Sequence, residues 1–291
     1  MLIKTIVAMD KVNYLISSIQ EIESLFKKEN INMGICESVE DKNHFIKVIC
    51  DDSVYNNDIK KKFNRYFSKV IYDILAMEFC VSNLNCMLED SYFFLNSDEM
   101  NEIRELCINA ILKDNDINDE EIFYLNKKNF ILKEINECLS EYDQVNINGF
   151  LIFRMKSIET NLKGIIDKVI ERYMIEKEYD EFIKLLKYFV DMQESKIEII
   201  NIYVLKDGKY KITDKNEVDV TEKVMSELSG SKFKNDINAD DMLISGLITA
   251  CPEKIIIHDD DNFINKEILN TIQNVFERKV VFCNSVSVSR K

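Results

Sequence analysis

The chain has 291 residues, with 38 Lys plus Arg against 52 Asp plus Glu and a formal net charge of −14. A hydrophobic share of 46% suits a folded globular chain and excludes wholesale disorder. The acid excess argues against a general nucleic-acid binder, because phosphate backbones are held by a basic footprint. The longest uncharged apolar stretches, 79–88 and 242–252, fall short of the ~20 residues that span a bilayer. MLIKTIVAMDK at the start lacks a basic n-region and a cleavage site, so the expectation is a cytoplasmic chain without a signal peptide.

In chain order, LIKTIVA (2–8) reads as a strand. Residues 11–28 carry Val12, Leu15, Ile16, Ile19, Ile22, Leu25 and Phe26 on one helical stripe. Short apolar runs at 31–36 and 44–50 follow, making 1–56 a small β-α-β-β unit. From 57 to 195 the pattern is nearly all helix. Ile59, Phe63, Tyr66, Phe67, Val70, Ile71 and Ile74 step by three and four, and the stretch then turns apolar all round through Leu88, which suits a buried central helix. Ser97 is the expected N-cap of a helix carrying Ile103, Cys107 and Ile111. Another helix covers 119–142, and a long one runs from 148 to 192, where Gly164 is a candidate bend and Asp180–Lys184 an acid-before-base pair. Within it, FIKLLKYFV (182–190) is apolar enough for core or for interface.

After 195 the period changes. Ile197 to Val204 reads as a strand, Asp207-Gly208 as a hairpin turn, and Tyr210 and Ile212 as the return. Asp219 and Glu222 resemble a capping box, and Gly230 fits a C′ position. A helix near 239–250 stops at Pro252, the only proline. KIIIH (254–258), a helix at 266–277 capped by Asn265 with an Ile264–Leu269 staple, and KVVFCN (279–284) complete a parallel βαβ crossover. The expectation is an α+β protein of three parts: the β-α-β-β unit at 1–56, a predominantly helical middle region at 57–195, and a C-terminal α/β domain at 196–291 containing a β-hairpin and the crossover.

The common chemical motifs fail on spacing. No two glycines stand two apart, so GxGxxG is absent. Ser229-Gly230-Ser231-Lys232 lacks the first P-loop glycine, since position 225 is Met225. With only His44 and His258, HExxH and the Cys2His2 finger cannot be built. His44, in an apolar strand, reads as a structural ring. Asp114 to Asp119 looks like the start of a calcium loop, but Asp119 stands where Gly is needed and Leu125 where a bidentate Glu is needed, leaving a solvated acidic turn. The 8 Cys form no CxxC and mostly sit in apolar segments, so they read as reduced, buried thiols; no metal or cofactor is called for.

Two clusters remain. His258, Asp259, Asp260 and Asp261 follow the C-terminal end of a predicted parallel strand, where open α/β sheets place ligands; the carboxylates suit Mg²⁺ or a cationic ligand, and equally a plain acidic loop near a helix N-terminus. Lys60, Lys61, Lys62, Arg65 and Lys69 form a basic helix face, suited to an acidic partner, to nucleic acid, or simply to solvent.

NGFLIFRMK (148–156), IEKEYDEFIKLLKYFVDMQ (175–193) and DMLISGLITACPEKIIIH (241–258) resemble the YtxC-like sporulation protein family of endospore-forming bacteria. The resemblance covers roughly 145–291. It implies a sporulation setting and brings no assigned reaction or catalytic residue. The resulting expectation is a sporulation-associated intracellular protein that works by interaction with protein partners rather than by catalysis. The alternative is a small-ligand- or Mg-binding enzyme using the C-terminal α/β domain.

Overall fold

The computed structural model describes residues 1–113, 119–205, 208–226, 238–258, 262–263 and 265–283. The chain divides into two compact units, Met1–Tyr173 and Met174–Lys291. Each holds one four-stranded sheet beside helices, so the protein is α+β, with a helical middle region. The expected Asp114–Asn118 turn, Asp207, the Ser229–Lys232 segment with Gly230, and Ile264 lie outside the described residues.

In the first unit, β1 (Leu2–Ala8) and α1 (Val12–Lys27) precede the hairpin β2 (Met33–Glu40) and β3 (Asn43–Cys50). α1 buries Leu15, Ile19, Ile22 and Phe26, one turn apart each time. β1 pairs antiparallel with β3 on one side and parallel with β4 (Gln144–Asn146) on the other, giving the order β2-β3-β1-β4. Every residue of β1 from Ile3 to Ala8 is buried, so both faces of this central strand are covered. The segment 1–56 thus shares its sheet with a strand that lies beyond the next four described helices. β4 has no sequence signature: three residues are too few to show a period.

Four described helices lie between β3 and β4: α2 (Asn57–Ser82), α3 (Leu84–Ser91), α4 (Ser97–Leu112) and α5 (Asp119–Glu141). Asn56 caps α2 by accepting from the backbone N–H of Asp58 and Ile59 at 3.0 and 2.9 Å. The apolar pattern read as one stretch through Leu88 is two helices, bent by 52° at Asn83. No single described helix is long and apolar enough to cross a membrane; the bent pair passes by length and composition, but Phe79, Leu84 and Leu88 on it lie in the core. The cap of α4 is Asn96, one residue before the expected Ser97. Its side chain accepts from Asp98 and Glu99, and Glu99 returns a bond to the Asn96 N–H, closing a capping box.

α6 (Ile147–Met192) runs unbroken through Gly164 and crosses from the first unit's residues into the second's. In the second unit, β5 (Ile199–Val204) and β6 (Tyr210–Asp214) form the expected hairpin. α7 (Thr221–Ser226) opens on Asp219, which accepts from the Thr221 N–H at 2.9 Å. α8 (Ala239–Ala250) ends in the left-handed Cys251, just before Pro252. β7 (Lys254–His258), α9 (Lys266–Phe276, capped by Asn265) and β8 (Val280–Cys283) give the expected parallel crossover. The sheet order is β6-β5-β7-β8. One core holds Ile183 and Val190 of α6, Ile200, Ile202 and Val204 of β5, Leu243 and Leu247 of α8, Ile255 and Ile257 of β7, and Ile272 and Val275 of α9. The alternate residues Ile199, Asn201, Tyr203, Ile256 and His258 are only half-buried on the sheet's other face. At Gly246 a Cβ would stand 2.2 Å from the Val224 carbonyl oxygen, so the close approach of α7 to α8 requires glycine there.

Candidate functional site

His258 ends β7. Its Nε2 is 3.2 Å from the Asn201 Oδ1, and its ring stacks on Tyr203 with centroids 4.3 Å apart and planes 9° apart. Both partners are neighbours on β5, on the half-buried face. Asp259, Asp260 and Asp261 lie outside the described residues. The parallel strands follow in chain order, β5-β7-β8, so among them there is no reversal of the kind that opens a ligand crevice. Beyond the strand ends, Asp240 at the start of α8 accepts from the Tyr210 hydroxyl at 2.5 Å and from Asn265 at 3.3 Å, tying the N-terminal ends of α8 and α9 together. Burial first, then that carboxylate, raises the Tyr210 hydroxyl well above its ordinary range, so it stays a donor. Among the described residues no three His, Cys, Asp or Glu side chains converge to hold a metal ion.

The basic face of α2 separates into two groups, with Lys61 exposed and in neither. Lys60 pairs with Asp143, and Lys62 pairs with Glu29 while lying over the Phe26 ring. These two stitch the helix to neighbouring chain. Arg65 and Lys69, with Lys133 of α5, line a surface groove of about 350 Å³ that also takes in Ser68, Asn129 and Asn136. His44 is hydrogen-bonded across the hairpin to Glu37 at 2.6 Å. The thiols differ from expectation: all eight are free, but Cys36, Cys86 and Cys283 are exposed. Cys36 and Cys283 stand on edge strands, where one side of the ladder is open. Burial pushes Cys107 up to about 12 and Cys80 up to about 11, leaving both protonated and unreactive at neutral pH.

Lys4 carries no motif and passes unnoticed in LIKTIVA, yet it is fully buried. Its ammonium donates to the carbonyls of Leu139 and Tyr142, at and just beyond the last turn of α5. That turn has no basic residue of its own, so β1 supplies the cation that the negative end of the helix attracts. Burial, and then the neighbouring charge of Lys60, push Lys4 down to about 8, while Asp143 pulls the other way. The arrangement is a structural clamp that ties β1 to the end of α5.

α6 presents exposed apolar side chains at two places. Near its start, Ile147, Leu151 and Ile152 line a cavity of about 330 Å³ with Asp10, Lys11, Glu78 and Asn148. Lys11 pairs with Glu78 at 2.7 Å, and Asn148 bridges the Met9 N–H and the Asp10 carboxylate, so its polar groups are already satisfied. Farther along, FIKLLKYFV is core and surface at once. Ile183 and Val190 are 6% and 2% exposed. Ile175, Phe182, Leu185, Phe189 and Met192 are 60%, 51%, 51%, 48% and 69% exposed. Consecutive helical residues point about 100° apart, so the second stripe lies beside the core stripe and away from it. The sequence signal was present: the apolar run is wider than one stripe.

The profile of the YtxC-like family matches residues 65–281, more than half of the chain. The chain belongs to the YtxC-like family. It is 28% identical over 196 residues to the Bacillus subtilis (strain 168) protein called "Uncharacterized protein YtxC", covering 67% of this chain and 68% of that protein. No solved structure matches the chain. The family match takes in the whole exposed stripe of α6, His258 and the Arg65–Lys69–Lys133 groove, and leaves out α1 and the first three strands.

Proposed function

We propose that this YtxC-like protein is a sporulation-associated, intracellular interaction protein that works by docking a helix along α6 rather than by making or breaking bonds. The observation that carries this reading is the stripe Ile175–Phe182–Leu185–Phe189–Met192, which leaves five large apolar side chains in water while the same helix buries Ile183 and Val190. Contiguous exposed apolar surface costs solubility, and in folded proteins it marks a surface that is covered by a partner. From Phe182 to Met192 the stripe steps by three and four residues, which fits an amphipathic helix laid alongside it. The sporulation setting rests on the family resemblance.

The test is made in an endospore-forming host, comparing the wild-type chain with a Phe182→Glu/Phe189→Glu variant. The expected result is loss of spore yield to the level of the deletion strain, with the variant protein folded and present. A variant that sporulates as well as wild type overturns the reading.

A further inference from the structure

We infer that the helix docked on this stripe is the same helix of a second copy of the chain, lying antiparallel to it. This rests on the reading of α6 as a docking surface and names its occupant. Ile175, Phe182 and Phe189 are seven apart, and Glu178, Leu185 and Met192 form a second series seven apart, three residues behind the first. Those are the two seam positions of a heptad repeat, the pattern by which helices recognise one another over a long contact. The seam spans 17 residue steps, about 25 Å of helix at 1.5 Å per residue. Its exposed side chains offer several hundred Å² per copy, near the size of a small stable interface.

The one polar residue in the seam selects the partner's direction. In a parallel pair, like positions face each other, so Glu178 would meet Glu178 of the second copy between two apolar layers, and two carboxylates there repel. In an antiparallel pair centred between Ile183 and Lys184, Phe182 stacks on Leu185 of the second copy, Ile175 on its Met192, and Glu178 on its Phe189. No layer then holds two charges, and the two Phe182–Leu185 layers lie at the centre, where interface energy concentrates. A closed twofold contact of this kind uses the same patch on both copies, so the exposed stripe is fully consumed.

The experiment uses the full chain. Sedimentation equilibrium is expected to show a monomer–dimer equilibrium. Phe182→Glu is expected to weaken it about a hundredfold, Glu178→Leu to tighten it about tenfold, and Lys184→Glu, an exposed position pointing away from the seam, to leave it unchanged. Circular dichroism confirms that each variant is folded. A spin label at Ile175→Cys, with Cys36, Cys86 and Cys283 replaced by Ser, is expected to report about 25 Å between copies; a separation near 10 Å overturns the antiparallel arrangement. A monomer at every concentration, or a dimer indifferent to Phe182→Glu, overturns the second copy as occupant. In that case the docking reading survives only if the sporulation defect of the Phe182→Glu/Phe189→Glu strain is still found; if that defect is also missing, both fall.

Discussion

The two sheets start from similar strands and end in different surroundings. LIKTIVA and KIIIH are both near-continuous apolar runs. β1 is buried on both faces from Ile3 to Ala8, while β7 buries Ile255 and Ile257 and leaves Ile256 and His258 half-covered. A parallel strand is commonly buried twice over, because crossover helices cover both faces. In the second unit the one core gathers α6, α8 and α9 against the same face of the sheet. An apolar run therefore does not by itself report how many faces of a strand are dry; the neighbours decide that.

The largest expected effect tests how tightly the second unit's helices are set. Gly246→Leu places a side chain into the Val224 carbonyl and should cost about 5 kcal/mol or prevent folding, as read by urea denaturation. The direct contrast comes next. Ile6→Ala, in the doubly buried strand, should cost about 3–4 kcal/mol, and Ile256→Ala, on the half-covered face, about 1 kcal/mol. Equal losses would erase the difference between the sheets.

Lys4 sharpens the comparison through pH. Its native pKa is depressed to about 8 from 10.5, so between those values the unfolded chain binds more protons and stability rises with pH. The raised thiols of Cys80 and Cys107 act in the opposite sense, adding stability below pH 9 that is lost as pH climbs through about 11 and 12. The difference between wild type and Lys4→Met isolates the lysine. It should move in favour of wild type by about 2–3 kcal/mol between pH 8 and 10.5; a flat difference would mean that the ammonium is solvated. Smallest of these is the capping box. Asn96→Ala should cost about 1 kcal/mol in thermal or chemical unfolding, and Asn96→Ser much less.

Most elements were legible because each had length enough to show a period, and α2, α4, α8 and α9 also start on a capping Asn. β4 was not, since its identity comes from β1 rather than from QVN itself. The break at Asn83 was hidden by apolar residues on every side, which look the same in one straight helix and in two buried ones. Of the candidate sites, His258 could be placed on its strand, but its partners Asn201 and Tyr203 come from β5, more than fifty residues away. The basic face of α2 was legible as a helix face; that Lys60 and Lys62 are occupied and Arg65 and Lys69 line a groove depends on Asp143, Glu29 and Lys133 arriving from elsewhere. The stripe on α6 was ambiguous because composition alone does not say which of two adjacent apolar faces the sheet will take.

The parallel pairing of Thr5, Ile6 and Val7 with Gln144, Val145 and Asn146 has a consequence for synthesis. While the ribosome is still making the early helices, the emerging β1 has one naked edge, and its lysine has no carbonyl to meet. Only when residue 146 has emerged from the ribosome can the strand be sealed. A nascent chain stalled before that point should remain vulnerable to proteases, and one stalled soon after it should be protected.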